Sequence, residues 1–198
     1  MSARPHWTGI LLAAGRGRRF AAHDGGDKLL QALADGRSVA QTSAANLQAV
    51  MPHTLTVLRA DHFLLQQQFS ALGYPSVLCE QADLGMSASL ICALQHSADS
   101  AGWIIALADM PWVQPDSIAA VLAALRAGAD IARPVCAGRY GNPVGFSRTH
   151  LERLLALQGD SGARDLFRSF PVHEVEVDDT GILHDIDVPA DLLATPLR

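Results

Sequence analysis

Short apolar segments alternate with longer amphipathic segments along most of this chain. The short segments are rich in apolar or β-branched residues and are bounded by glycine, proline or charged residues, which is typical of strands buried in a sheet. Their regular alternation with helical patterns predicts an α/β protein with three layers, α/β/α, around a mainly parallel sheet. The predicted strands are 9–14, 54–58, 77–79, 103–108 and 130–135, and further extended segments are predicted at 138–146 and 173–177.

Capping residues mark where the predicted helices begin. Ser38 and Asp61 are typical N-cap residues, and an amphipathic segment follows each of them. Ser87 and Ser89 lie in or near the first turn of another helix, where they either cap that helix or contact a phosphate or ribose. The predicted helices are 38–51, 61–71, 84–97, 149–157 and 162–170, together with one that begins at Pro115.

The first predicted strand ends in a turn of alternating glycine and arginine, Gly15-Arg16-Gly17-Arg18-Arg19. Glycines let a ligand approach the backbone N–H groups closely, and arginines supply the charge that phosphate oxygens require. The turn has Phe20 where the dinucleotide fingerprint needs its third glycine, and it lacks the Gly-Lys-Ser/Thr ending of the Walker motif. A nucleotide phosphate site is therefore one interpretation, and an ordinary strand-to-helix connection with solvated arginines is the other.

Length and composition limit the classes of protein to which the chain can belong. Its 198 residues, 49% of them hydrophobic and 18% charged, fit a single globular domain over residues 1–198 and exclude a disordered chain. The net charge of −5 argues against nucleic acid as a partner, because nucleic-acid binding normally needs a basic patch. No apolar run is long enough to cross a membrane, so no membrane partner is expected.

The cysteines and the N-terminal segment indicate the compartment. Cys79, Cys92 and Cys136 are isolated from one another and form no Cys-x-x-Cys pair, so buried free thiols are expected. Glycines and arginines follow the first apolar segment where a signal peptide would have its cleavage site. We therefore expect a cytoplasmic protein.

Six short motifs follow one another in a fixed order over nearly the whole chain. They are Leu12–Phe20, Gly85–Leu90, Leu107–Pro111, Gly141–Val144, Gly159–Arg164 and Asp185–Pro189. Together they resemble the motifs of the molybdenum cofactor cytidylyltransferases and their guanylyltransferase relatives, a MobA-like family of nucleotidyltransferases. The resemblance implies a Rossmann-like fold of the nucleotide-diphospho-sugar transferase type.

The resemblance also implies roles for individual residues. Arg19 and Lys28 take the places of the family's signature arginine and lysine, and Asp109 takes the place of an aspartate that binds magnesium. Catalysis of nucleotidyl transfer must bring several phosphate charges together, which requires fixed cations more than it requires a nucleophile. We therefore expect Arg19, Lys28 and Asp109 to be catalytic. The residues expected to bind the nucleotide are Leu12, Ala13, Ala14, Gly15, Arg16, Gly17 and Ser89.

Mg²⁺ is the cofactor that the resemblance implies, and carboxylate and water oxygens are the ligands that it prefers. Asp187 is the expected second metal ligand beside Asp109. Asp185 or Asp191 could face the site in its place, and for these aspartates an N-cap role near Pro189 is the alternative. The expected acceptor side of the site comprises Gly141, Asn142 and Arg164.

The resemblance implies transfer of a nucleoside monophosphate to a terminal phosphate of a molybdopterin-type acceptor, with release of pyrophosphate. Ala14 stands where guanylyltransferase relatives carry a second glycine, which favours CTP over GTP or another nucleoside triphosphate. Asn142, Cys79 and Ala21 depart from the histidine, asparagine and glycine that many relatives have there, which leaves the acceptor and the loop geometry open. A molybdoenzyme or its chaperone as a further partner is also left open.

Two other classes of function are retained as alternatives. The first is a guanylyltransferase, or a transferase that acts on a sugar or alcohol phosphate. The second is a non-catalytic nucleotide-binding chaperone that delivers cofactor to a partner enzyme.

Overall fold

The computed structural model describes residues 6–24, 26–159 and 163–193. Within these residues the strands are β1 (Trp7–Ala13), β2 (Thr54–Arg59), β3 (Ser76–Cys79), β4 (Gly102–Leu107), β5 (Ile131–Cys136), β6 (Arg139–Tyr140), β7 (Val144–Ser147) and β8 (His173–Glu176). The α-helices are α1 (Arg18–Asp24), α2 (Val39–Val50), α3 (Phe63–Ala71), α4 (Met86–His96), α5 (Pro115–Arg126), α6 (Leu151–Leu155) and α7 (Arg164–Ser169). Short 3₁₀ turns are formed by Lys28–Leu30, Ala82–Leu84, Arg148–His150, Thr180–Leu183 and Pro189–Leu193.

The strands of the described chain form one sheet in the order β3-β2-β1-β4-β7-β5-β6, with β8 paired to β5. The pairs β1–β2, β1–β4, β2–β3 and β5–β8 are parallel, as the alternation of strands and helices predicted. Strand β7 is inserted antiparallel between β4 and β5. It can enter in that direction because Ala137 and Gly138, both with positive φ, make a two-residue turn that reverses the chain from β5 into β6.

Helices cover both faces of the sheet, so the predicted three-layer architecture is confirmed. On one face, Leu47 of α2 and Val121 of α5 pack with Leu11 of β1 in one buried cluster. On the other face, Leu90 of α4 packs with Ile10 of β1 in a second cluster. Neighbouring residues of β1 thus enter opposite cores, as the two-residue period of a strand requires.

Of the two residues predicted to cap a helix, Ser38 does so and Asp61 does not. The Ser38 hydroxyl accepts a hydrogen bond from the backbone N–H of Gln41 at 3.1 Å, so Ser38 is the N-cap of α2 as predicted. The prediction for Asp61 is wrong: α3 begins at Phe63, and Asp61 accepts a hydrogen bond from Arg59 Nε at 2.7 Å. The ion pair takes up the carboxylate that would otherwise cap the helix.

Other boundaries also differ from the sequence-based predictions. The predicted helix 149–157 is a 3₁₀ turn, Arg148–His150, followed by the short α6. Gly162, the predicted start of the next helix, lies outside the described residues, and the helix described there is α7. Cys79 and Cys136 are buried free thiols as expected, whereas Cys92 is only half-buried.

In the part of the chain that the structure describes, no helix has the length and apolar character needed to cross a bilayer.

Candidate active site

The carboxyl ends of β1 and β4 create the candidate site. Leu12 and Leu107 pair in register on these parallel neighbours, so the glycine-arginine turn after β1 and Asp109 after β4 emerge at the same edge of the sheet. A first cavity of about 350 Å³ opens there. All the residues predicted to bind the nucleotide line it, namely Leu12, Ala13, Ala14, Gly15, Arg16, Gly17 and Ser89, and so do Lys28 and Asp109.

Lys28 connects two acidic residues of the site. Its ammonium donates to Asp109 Oδ2 at 2.6 Å and to the carbonyl oxygen of Ile186 at 3.0 Å, and it lies 3.7 Å from Asp187 Oδ1. The Asp27 carboxylate holds the 3₁₀ turn that carries Lys28 by accepting the N–H of Leu29 at 2.9 Å. Lys28 is only 9% exposed, so its charge interacts with these partners in surroundings that screen it less than bulk water does.

The C-terminal segment reaches the site through backbone contacts. The N–H of Ile186 donates to the carbonyl oxygen of Asp109 at 2.9 Å, which places Asp187 beside Lys28. Asp191 faces the backbone, since one of its carboxylate oxygens accepts the N–H groups of Asp187 and Val188, each at 2.8 Å. Of the three aspartates considered, Asp187 is therefore the one whose carboxylate approaches Lys28 in the described structure.

Arg19 and Asp185 lie at the margin of the site. Arg19 does not line the first cavity; it donates to Asp187 Oδ2 at 2.6 Å, and 79% of its side chain is exposed. Desolvation raises the pKa of Asp185, and the negative charges of Asp187 and Asp109 raise it further. The added charge repulsion shows that carboxylates are crowded at this margin.

The Arg16 guanidinium is held by carboxylates that the sequence analysis did not identify. Two of its nitrogens donate to Asp83, and it lies 3.5 Å from Asp61. The hydrogen bond from Arg16 lowers the pKa of Asp83, and the one from Arg59 lowers the pKa of Asp61. No local spacing signals the Arg16–Asp83 pair, because 67 residues separate its members in the sequence.

The donor set at the site fits a hard divalent cation. Asp109 and Asp187 flank the Lys28 ammonium and supply carboxylate oxygens only. No group of three or more His, Cys, Asp or Glu residues that could hold a metal occurs among the residues described. Mg²⁺ commonly takes one or two protein carboxylates and completes its shell with phosphate oxygens and water, so this pair is sufficient for it.

A second cavity, of about 500 Å³, adjoins the first. Leu12, Met86 and Leu107 line both, so the two cavities meet above the ends of β1 and β4. Asn142 and Arg164, two of the residues predicted for the acceptor side, line the second cavity. The motif Gly159–Arg164, which contains Arg164, includes residues 160–162, which lie outside the described residues.

Gly141, the third residue predicted for the acceptor side, does not line the second cavity. A Cβ atom at this position would meet the Ile182 carbonyl oxygen and would lie 2.6 Å from Ile182 Cγ1. The structure therefore gives Gly141 a packing role, in which the absence of a side chain lets two backbone segments approach each other.

Among the lining residues of the second cavity that sequence reasoning missed are Arg133, Phe167 and Arg168. A signal existed for Arg133, because it interrupts the otherwise apolar segment predicted as a buried strand. Phe167 and Arg168 carried no such signal, since both suit an ordinary amphipathic helix.

Comparison with known proteins identifies relatives over nearly the full length of the chain. A family model described as a MobA-like NTP transferase domain matches residues 9–176. The purine catabolism protein PucB of Bacillus subtilis is 30% identical in an alignment 198 positions long, which covers 93% of this chain and 93% of PucB. The residues that the family model matches include every residue that lines either cavity.

Solved structures share the fold. The crystal structure of Rv0371c from Mycobacterium tuberculosis H37Rv superimposes with a TM-score of 0.83 and 28% identity, covering 96% of this chain and 100% of that one. Rv0371c has also been solved in complex with manganese. The molybdopterin-guanine dinucleotide biosynthesis protein A from Archaeoglobus fulgidus has a TM-score of 0.68 at 21% identity, covering 94% of this chain and 95% of that one, a likeness of fold alone.

Proposed function

The chain belongs to the MobA-like NTP transferase family, and from this premise we propose that it transfers CMP from CTP to a terminal phosphate of a molybdopterin-type cofactor, with release of pyrophosphate. The observation that carries the proposal is the pair of adjoining cavities that share Leu12, Met86 and Leu107. Nucleotidyl transfer requires two substrates side by side, and holding them so supplies much of the rate enhancement. The first cavity is assigned to the triphosphate and the second to the acceptor.

The proposed reaction is an in-line displacement. An oxygen of the acceptor's terminal phosphate attacks the α-phosphorus of the nucleotide, the bond to the β-phosphate oxygen breaks, and pyrophosphate leaves with that electron pair. No residue of the protein forms a covalent intermediate. The protein's task is to hold phosphates together and to stabilise negative charge as it shifts toward the leaving group.

The cations of the first cavity are suited to that task. Lys28 is held within 2.6 Å of Asp109 and can exchange this carboxylate for a phosphate oxygen. Arg16 lines the same cavity and is oriented by Asp83. Arg19, paired with Asp187 at the margin, contributes charge from outside the cavity.

Mg²⁺ is the proposed cofactor, with Asp109 and Asp187 as its protein ligands. When bound, it would neutralise charge on the phosphate oxygens and polarise the α-phosphorus. The manganese complex of Rv0371c supports a divalent cation in a protein of this fold. The choice of magnesium rests on the oxygen-only donor set described above.

The preference for CTP rests on Ala14, which lines the first cavity. A methyl group at this position leaves less room beside the base than a glycine does, which favours a pyrimidine over a purine. We also propose a cytoplasmic location and delivery of the product to a molybdoenzyme or its chaperone. GTP is the second candidate nucleotide, because the name of the A. fulgidus protein refers to a molybdopterin-guanine dinucleotide.

The proposal is tested by pyrophosphate release from CTP, GTP and UTP with Mg²⁺, without an acceptor, with molybdopterin cofactor, and with a sugar or alcohol phosphate. We expect release from CTP that depends on the cofactor and exceeds release from GTP. Pyrophosphate release from GTP alone would contradict the choice of CTP and assign GTP as the nucleotide. Turnover only with a sugar or alcohol phosphate would replace the acceptor, and no release with any triphosphate would favour a cofactor-delivery chaperone.

A further inference from the structure

One face of the sheet forms the floor of the second cavity. Ile105 of β4 pairs in register with Val144 of β7, and both line the cavity. Arg133 of β5 comes directly after Ala132, the residue that pairs with Gly145 of β7, and it lines the same cavity. The floor therefore changes from aliphatic side chains at β4 and β7 to a guanidinium at β5.

Aromatic rings hold that guanidinium in place. Arg133 Cζ lies 4.9 Å from the ring centroid of Tyr140 and 4.5 Å from that of Phe167. Phe167 in turn stacks on Phe146 with a centroid separation of 5.9 Å, and the Tyr140 hydroxyl donates to Glu174 on β8. These contacts fix the plane of the guanidinium and leave little freedom to lose on binding a ligand.

The charge of Arg133 has no counter-ion in the described part of the chain. Neither Arg133 nor Arg164 forms an ion pair there, and Arg133 Nε is a buried donor without a hydrogen-bond partner. Burial lowers the pKa of Arg133, because desolvation disfavours its charged form. A half-buried guanidinium with no carboxylate partner among the described residues is unfavourable, and a bound anionic or carbonyl oxygen would compensate its charge.

From this arrangement we propose that Arg133 is a specificity-determining residue that binds an electron-rich oxygen, of an oxoanion or a lactam edge, at the end of the acceptor remote from its reacting phosphate. The inference rests on the proposed function for the reaction itself. β5 lies two strands from β4, so Arg133 is on the order of 10 Å from the strand that leads to Asp109. An acceptor with oxygens at both ends can thus span from Arg133 to the nucleotide.

The kinetic test compares Arg133→Met with Arg153→Met. Arg153 also packs on an aromatic ring, with Cζ 4.6 Å from the Phe170 centroid, but it lines neither cavity. We expect Arg133→Met to raise KM for molybdopterin cofactor about 10- to 100-fold, the effect of losing a charge-assisted hydrogen bond. KM for CTP should stay unchanged, and Arg133→Lys should restore part of the loss. An acceptor KM for Arg133→Met equal to that of Arg153→Met would overturn the proposal.

A binding test separates this inference from the proposed reaction. Titration of the wild-type protein with pterin and with pterin-6-carboxylate, followed by their fluorescence, needs no turnover. We expect saturable binding of pterin-6-carboxylate that Arg133→Met weakens at least about 10-fold and Arg153→Met leaves unchanged. A loss for both probes points to the lactam edge, and a loss for the carboxylate alone to an oxoanion. Absence of binding to the wild-type protein, or equal Kd values in all three proteins, would contradict the inference even if transferase activity is found.

Discussion

The two cavities at the carboxyl edge of the sheet treat positive charge differently. In the first, Lys28 and Arg16 are bound to the carboxylates of Asp109 and Asp83. In the second, Arg133 and Arg164 form no ion pair within the described residues, and Arg133 is held by aromatic rings. Among the described residues, Lys28 and Arg16 of the first cavity thus have counter-ions, whereas in the second Arg168 pairs with Asp165 at 3.4 Å and Arg133 and Arg164 have none.

This difference indicates two ways of preparing a site for an anion. Where the cations of a site already pair with carboxylates, the charges are balanced before a ligand binds, and the ligand must displace a carboxylate from its cation. Where a cation has no carboxylate partner, its charge stays uncompensated until a ligand binds, and the ligand itself is then the partner of the cation. We expect mutations in the first cavity to affect turnover most and mutations around the second to affect acceptor binding or stability.

The largest expected effect is that of Asp109→Asn. The substitution removes the charge that binds Lys28 and the proposed metal while hardly changing volume, so pyrophosphate release should fall at least about 100-fold, as when one preorganised electrostatic contact is lost. Circular dichroism should show an intact fold. Asp116→Asn, at an exposed aspartate in the first turn of α5, is the control and should keep wild-type activity. Near wild-type turnover of Asp109→Asn at saturating Mg²⁺ would remove Asp109 from the site.

Gly141→Ala should act on stability. Its new methyl group would meet Ile182, and overpacking of this kind reduces the free energy of unfolding by about 1–3 kcal/mol. Urea denaturation measures the loss. Gly138→Ala is the matched control, since Gly138 has φ +72° but open space around it and bears only the backbone strain. An unchanged stability with a raised acceptor KM would instead make Gly141 a ligand contact.

A smaller effect is expected for Gly17→Ala in the first cavity. Gly17 has φ +57°, which costs a residue with a Cβ about 1 kcal/mol, and the added Cβ would lie 3.3 Å from Lys28 Cγ. Lys28 should shift, and KM for CTP should rise several-fold while acceptor KM stays constant. Steady-state kinetics with each substrate varied in turn distinguishes this result from a general loss of activity.

The smallest expected effect is a pH dependence beside the second cavity. His150 is buried, with its ring centroid 6.0 Å from that of Phe146, and desolvation lowers its pKa from the ordinary value of 6.5. Below about pH 6.5 the unfolded chain then binds more protons than the folded one. The free energy of unfolding should therefore fall as the pH drops from about 6.5 toward the pKa of His150 in the folded state. His150→Leu should reduce the slope of the free energy of unfolding against pH, as urea denaturation at several pH values would show. The exposed His96, changed to Gln, should leave it intact, and equal slopes in all three proteins would contradict this prediction.

Much of the fold could be predicted because local patterns determine it. Ser38 caps α2 as its type and position indicate, and the apolar segment 103–108 closely matches β4. The direction of β7 could not be predicted, since an extended segment looks alike in either orientation. Asp61 was misassigned because its carboxylate pairs with Arg59 instead of capping the helix, and a capping pattern does not show this competition.

The lining of the candidate site could be predicted where one motif supplies neighbouring residues, as from Leu12 to Gly17. It was incomplete where the fold brings together remote ones. Asp187 was expected at the site only from the resemblance, because its place beside Lys28 depends on the contact between Ile186 and Asp109. Asp83 was missed, because it reaches Arg16 only across the cavity. Arg133 did carry a signal, a charge inside a buried strand, whose meaning depends on the rings of Tyr140 and Phe167.

The most direct test of the account is a crystal structure with a non-hydrolysable α,β-methylene analogue of CTP and Mn²⁺, whose anomalous scattering locates the metal. We expect the triphosphate along Gly15–Gly17 in the first cavity, the metal beside Asp109 and Asp187, and the second cavity free for the acceptor. A nucleotide bound in the second cavity, or a metal remote from both aspartates, would contradict it.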